Sequence, residues 1–161
     1  MNAIYSEAGK KALQILKQPT KEVNSGTFYA RPETPYFVDT DEYSKDKVRI
    51  VVYCDMRFSD IIGDSDEWDK REECVIPADS FYEVLSKLKA GGEISIQLQA
   101  DIVESESAWG ADCDNPHEIV THQTVQILLY ITISEDMKTV TLKLLRQGND
   151  GFVSYCELQR T

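Results

Sequence analysis

The sequence has few of the features that mark a disulfide-bonded, secreted or membrane-spanning protein. Its four cysteines, Cys54, Cys74, Cys113 and Cys156, are widely separated and include no CxxC pair. We therefore expect free thiols in a reducing compartment rather than a disulfide framework. No apolar run approaches the roughly 20 residues that cross a bilayer, and the first residues lack the basic start and apolar stretch of a secretory signal. These absences predict a cytoplasmic protein with no membrane partner.

Basic residues are also scarce, with 17 Lys and Arg against 28 Asp and Glu, which gives a formal net charge of −11. Such a charge repels phosphate backbones and anionic membranes, so we expect no direct nucleic-acid binding. The chain also lacks a glycine-rich phosphate loop and a G-x-S-x-G nucleophile motif. Because no motif specifies a reaction, we predict no catalytic residue.

Two segments have the apolar spacing of an amphipathic helix, residues 3–17 and residues 80–90. In the second, Ser80 and Glu83 fit a capping box, and Gly91 follows at the C-terminal end. Both segments are therefore predicted to lie as helices on a hydrophobic core.

Alternating apolar residues predict strands that begin near Val48, Ile94 and Val125, followed by two further strands that reach Leu158. Strands and helices do not alternate strictly, which disfavours a parallel βαβ sheet. We predict that residues 1–161 form a single α+β domain, with a mainly antiparallel sheet of about five strands and two amphipathic helices on one face.

The negative charge is confined to two segments that we predict to be acidic loops. Residues 55–73 carry eight acids and three bases, and residues 101–118 carry six acids and no base, while the rest of the chain is neutral. Both tryptophans, Trp68 and Trp109, lie in these segments. If the two segments approach each other, they form a single acidic face around residues of the kind that anchor interfaces. A tryptophan in a long loop also often pins that loop to its own domain, and runs of charge are often only solvated surface.

The predicted binding residues are the acids and tryptophans of these segments. They are Asp60, Asp64, Asp66, Glu67, Trp68, Asp69, Glu104, Glu106, Trp109, Asp112 and Asp114.

The two histidines, His117 and His122, stand close to Cys113 and are the weak candidates for a metal site or a small hydrolytic site in residues 112–122. Residues i and i+5 face opposite sides of a strand, so the two imidazoles would converge only in an irregular segment. We therefore predict neither a metal site nor a cofactor.

The placement of charge favours an acidic interaction module that binds and inhibits a basic, nucleic-acid-binding protein by presenting carboxylates in place of phosphates. Inhibitors of nucleases, of restriction systems and of CRISPR effectors work in this way, as do immunity proteins that block a nuclease toxin. One alternative is a small metal-binding or hydrolytic enzyme that uses residues 112–122. Another is an acidic accessory or structural domain whose charge only maintains solubility.

Overall fold

The computed structural model describes residues 6–17, 23–25, 28–30, 37–39, 46–61, 64–110 and 116–161. Residues 23–25, 28–30, 37–39, 54–61, 64–69 and 110 are described by their backbone alone. In chain order the elements are α1 (Glu7–Leu16), β1 (Val23–Ser25), β2 (Phe28–Ala30), β3 (Phe37–Asp39), β4 (Lys47–Ile61), β5 (Asp64–Pro77), α2 (Ala78–Lys87), β6 (Glu93–Gly110), β7 (His117–Ile133), β8 (Val140–Gly148) and β9 (Gly151–Arg160).

The described strands form one antiparallel sheet in the order β1–β2–β4–β5–β6–β7–β8–β9, with β3 paired to β4. Strands β4 to β9 are long, whereas β1 to β3 have three residues each. The predicted α+β class is therefore confirmed, but with six long strands rather than about five. Neither described helix is long and apolar enough to cross a membrane.

The core lies against one face of this sheet, which we call the core face. Alternate residues of each long strand point into it, as the apolar alternation predicted for Leu98, Ala100 and Ile102. Both helices cover this face, and Phe81 and Leu85 of α2 have no solvent-exposed surface. The prediction that the 80–90 helix buries the apolar sides of the strands is thus confirmed.

The sheet curls around this core. The hydroxyl of Tyr155 on β9 donates a hydrogen bond to the Glu72 carboxylate on β5, although three strands separate β5 from β9 in the sheet. Tyr155 is the extra residue of a β-bulge, because Cys156 pairs with Leu144 while Ser154 pairs with Leu145. The bulge bends β9 and allows its tyrosine to meet the far side of the core.

The predicted cap of the second helix is wrong. Helix α2 begins at Ala78, its N-cap is Pro77, and no side chain caps it. Proline fits this position because the first N–H groups of a helix have no intrahelical partner. The helix ends at Lys87, so Gly91 lies in the following turn, where its φ of 73° favours glycine.

The N-terminal helix is confirmed over Glu7–Leu16, and the predicted residues 3–5 lie outside the described part. Its N-cap, Ser6, also joins the two helices. The Ser6 hydroxyl accepts the N–H of Gly9 at 2.9 Å and donates to the carbonyl of Leu88 at 2.6 Å, just past the end of α2. One side chain therefore satisfies groups at the start of α1 and at the end of α2.

The prediction of acidic loops at residues 55–73 and 101–118 is corrected. Residues 55–61 belong to β4, residues 64–73 to β5, and residues 101–110 to β6. Only part of the second segment, residues 111–115, lies outside the described residues. The alternation of Cys54, Met56 and Phe58 continues the strand predicted from Val48 into residues 54–58. Residues 64–73 have no such apolar alternation, and β5 is therefore not predicted.

We predict that Gly9→Ala destabilises the protein, because a Cβ at position 9 would lie 2.0 Å from the carbonyl oxygen of Leu85. In an isolated helix the same change would stabilise by roughly 0.5–1 kcal/mol. Here the two helices must separate, and we expect the free energy of unfolding to fall by about 1–3 kcal/mol. Urea denaturation measures it, with Lys11→Ala on the exposed side of α1 as the control. A stabilised Gly9→Ala protein would contradict the close helix crossing.

Candidate functional site: the acidic extension of the sheet

Strands β4 to β7 continue beyond the part of the sheet that the helices cover. We call this part the acidic extension: residues 53–61, 64–72, 104–110 and 117–121. It contains ten acidic and three basic residues, a formal net charge of −7 out of the −11 of the whole chain. Most of the excess negative charge therefore lies on one part of the sheet.

The register of β5 and β6 brings the two acidic segments of the sequence together. Glu67 pairs with Trp109, Trp68 with Ala108, and Asp66 with Gly110. Neighbouring strands lie about 4.8 Å apart, so the fields of the two segments add. The two predicted segments thus lie side by side in one part of the sheet.

One pair in this ladder opposes like charges. Glu72 on β5 lies directly opposite Glu104 on β6, whereas the next pair on the same face, Lys70 and Glu106, is complementary. Like charges directly opposite each other destabilise a sheet. The extension therefore carries a repulsion that a bound cationic group would relieve.

A cleft of about 680 Å³ occupies the core-face side of the extension. Its lining combines carboxylates with a lysine, an arginine and apolar side chains: Tyr53, Lys70, Arg71, Glu72, Glu104, Ser105, Glu106, Ile119 and Thr121. Such a lining can receive a basic side chain and pack against its methylene stem.

Glu72 joins the cleft to the buried core, since it accepts a hydrogen bond from Tyr155 and lies two residues before the buried Cys74 on β5. Burial and the hydrogen bond to Glu72 raise the pKa of Tyr155 well above its usual range. Burial also raises the pKa of Cys74 to about 12 and that of Cys156 to about 11, and both are free thiols. Neither thiol has the lowered pKa of a catalytic nucleophile.

Exposed apolar side chains accompany the acids. Trp109 is 47% exposed, Ile119 54% and Val120 47%. Among the described residues the remaining large exposed hydrophobic side chain is Val153 on β9. Ile119 lies on the core face with Glu104 and Glu106, whereas Trp109 and Val120 lie on the opposite face, because successive residues of a strand alternate between faces. Exposed apolar side chains beside charged residues are typical of protein interfaces.

The structure describes some of the predicted site residues with their side chains, some by their backbone alone, and some not at all. Glu104, Glu106 and Trp109 lie on β6 with their side chains described, and Glu104 and Trp109 are exposed. Asp112 and Asp114 lie outside the described residues. The other six predicted residues are described by their backbone alone. They are Asp60 on β4 and Asp64, Asp66, Glu67, Trp68 and Asp69 on β5.

The metal candidates do not converge. His117 and His122 lie in the regular strand β7, opposite Ala108 and Val103, and therefore point to opposite faces of the sheet. The Nε2 atom of His117 lies 3.0 Å from Oε1 of Glu106, and Cys113 is outside the described residues. Within the described ranges no three His, Cys, Asp or Glu side chains are grouped as metal ligands are. A site built from both histidines is thus excluded by the strand geometry.

Ile119, Val120 and Tyr155 were missed as candidate residues. The run Ile119-Val120-Thr121 is rich in β-branched residues, which favours a strand and could have extended the predicted start of β7 from Val125 to His117. No local signal indicates the contact between Tyr155 and Glu72, which are 83 residues apart in the chain.

We predict that Tyr155→Phe destabilises the protein by about 1–3 kcal/mol, because the Glu72 carboxylate loses a donor in a partly buried place. The raised pKa of Tyr155 means that the folded protein holds this proton more tightly than the unfolded chain. Its contribution is therefore present below the ordinary tyrosine pKa of about 10 and is lost as the pH rises above it. Urea unfolding at neutral and alkaline pH, compared with Tyr130→Phe, measures both effects. Equal pH dependence for the parent and Tyr155→Phe would contradict this role.

We predict that Glu104→Gln stabilises the protein by roughly 0.2–1 kcal/mol at low salt, because it removes the like charge opposite Glu72. The gain should shrink as salt screens the pair. The matched control is Glu157→Gln on β9, since Glu157 lies opposite Lys143 and loses a favourable partner. Thermal unfolding at two salt concentrations compares the variants. A destabilised Glu104→Gln protein would show that the opposed carboxylates do not repel.

No protein-family model, curated protein or solved structure matches this chain. The charge and geometry of the acidic extension are therefore the basis for a functional proposal.

Proposed function

We propose that the acidic extension binds a basic protein, one whose own surface binds nucleic acid, and inhibits it by covering that surface. The observation that carries this proposal is the register of β5 and β6, which places two acidic segments side by side in a part of the sheet with a formal charge of −7. A surface of this sign attracts lysine- and arginine-rich patches and repels nucleic acid.

The regular spacing of a strand supports a phosphate-like role for the carboxylates. Glu104 and Glu106 lie two residues apart on β6 and share one face of the sheet. Alternate residues of a strand are separated by about 6.7 Å, and a neighbouring strand adds further positions about 4.8 Å to the side. A basic surface that tracks the repeated charges of a nucleic-acid backbone would meet a similar repeated array here.

The apolar side chains of the extension supply the part of an interface that charge cannot. Tryptophan is among the residues that most often dominate binding energy, and Trp109 is half exposed on β6. Ile119 and Val120 on the neighbouring strand β7 are similarly exposed. Val120 shares the face of Trp109, whereas Ile119 shares the face of Glu104 and Glu106. Charge would then speed association, while burial of these side chains would slow dissociation.

The experiment reverses charge at two places without changing the total. One variant carries Asp64→Lys, Asp66→Lys, Glu104→Lys and Glu118→Lys in the extension. The other carries Asp46→Lys, Glu83→Lys, Glu93→Lys and Glu135→Lys, in α2 or at the opposite end of the sheet. Both have the same net charge, so a difference between them reports position rather than total charge.

We expect the parent chain and the control variant to capture the same basic protein from a cell extract, and the extension variant to lose it. The affinity of the purified pair should fall as salt rises, because screening acts over roughly 8 Å at physiological ionic strength. The captured protein should also bind nucleic acid less well when the chain is added. Capture that is equally strong for both lysine variants, with both folded by circular dichroism, would contradict the proposal.

A further inference from the structure

Strand β7 is longer than its partner β8 and leaves an open edge. It pairs with β8 only over residues 127–133, while its pairing with β6 continues to His117. Beyond Arg146, strand β8 continues through Gln147 and Gly148, which pair with β9 but not with β7. Within the described residues, no strand pairs with the outer side of residues 117–126, which we call the open edge.

The backbone hydrogen bonds at the other end of β7 fix which groups point outward. The N–H of Ile133 bonds to Gly92 beside β6, and the N–H of Ser134 bonds to Thr139 on the β8 side. Backbone groups alternate between the two neighbours along an antiparallel strand, and the β6–β7 register is unbroken from Thr132 to His117. The outward N–H and C=O groups of the open edge therefore belong to Glu118, Val120, His122, Thr124 and Gln126.

The open edge has few of the features that usually protect an edge strand. Residues 117–126 contain no proline and no lysine, Glu118 is their one acidic residue, and the ladder that holds them to β6 has no bulge. The outer edge of the sheet, β9, differs, because it has a bulge at Tyr155 and carries Glu157 and Arg160. Of these two edges, the one on β7 is the better template for an added strand.

We propose that the partner of the acidic extension adds an extended basic segment to the open edge of β7, as a further antiparallel or parallel strand. Charge complementarity selects this occupant over a second copy of the chain, which would bring another net charge of −11 to the same place. A strand added to this edge is separated from β6 by β7 alone. On β6, Glu104 and Glu106 lie opposite Thr121 and Ile119 of β7. Lysine or arginine at alternate positions can reach these carboxylates on the core face.

This inference rests on the proposed function, and a synthetic probe can test it with the full chain. The probe is a blocked nine-residue peptide in which lysine alternates with valine. Its control has d-valine at the same positions, so that it keeps the composition and charge but cannot form a regular strand. The matched protein variants are Val120→Pro, which removes an outward N–H, and Val120→Ala, which loses the side chain but keeps the N–H.

We expect the all-l peptide to bind at least roughly tenfold more tightly than the d-valine peptide, because only the former can form the ladder. Val120→Pro should weaken binding at least roughly tenfold, and clearly more than Val120→Ala. Amide hydrogen exchange of the parent gives an independent reading. The amides of residues 118, 120, 122, 124 and 126 should gain protection on binding, whereas those of residues 119, 121, 123 and 125 are already protected by β6.

Equal affinity for both peptides, or peptide binding without the alternating protection, would overturn the added strand. If the charge-reversed extension variant still failed to capture the basic protein in that case, the proposal of an acidic binding surface would be retained and only the added strand would be rejected. If the parent bound neither peptide while still capturing its basic partner, the added strand would likewise be rejected. Failure of both the capture and the peptide experiment would overturn the proposed function itself.

Discussion

The fold depends on a mismatch of length between its helices and its strands. Helices α1 and α2 have ten residues each, about 15 Å, whereas β6 has 18 residues and spans roughly 60 Å. Two short helices can bury only part of such a sheet. Where they lie, alternate strand residues form the hydrophobic core. Where they end, the same strands continue with many charged residues and the exposed apolar side chains of Trp109, Ile119 and Val120, held by backbone pairing to their neighbours.

This division separates stability from binding. The helix-covered part buries the large apolar side chains, and Ser6 and Gly9 fix the close crossing of the two helices. At the boundary, the hydrogen bond from Tyr155 to Glu72 joins the two sides of the curled sheet. Beyond it, the extension tolerates opposed carboxylates and exposed apolar side chains because the core does not depend on them. Such a surface lowers the stability of the free protein, and a bound cationic partner is expected to restore that stability.

The sequence predicts strands where apolar residues alternate and does not predict them where this alternation is missing. Alternation of Leu98, Ala100 and Ile102 indicated a strand because the core needs every second side chain to be apolar. Residues 64–73 lack that alternation, so the sequence does not predict the strand β5 that they form. The position of the acidic segments along the chain can be predicted by counting acids in the sequence. That these two segments lie side by side follows only from the β5–β6 register. The Tyr155–Glu72 contact comes from sheet curvature, and neither feature has a local pattern.

The central claim is that binding is confined to the acidic extension and the open edge of β7. Backbone amide chemical shifts of the full chain, recorded while the lysine–valine peptide is added, test it residue by residue. The account predicts that the shifts change in residues 53–72 and 104–126, including the indole signals of both tryptophans, while those of α1 and α2 remain unchanged. Changes spread evenly over all exposed acidic residues, among them Glu83 on α2, would contradict it.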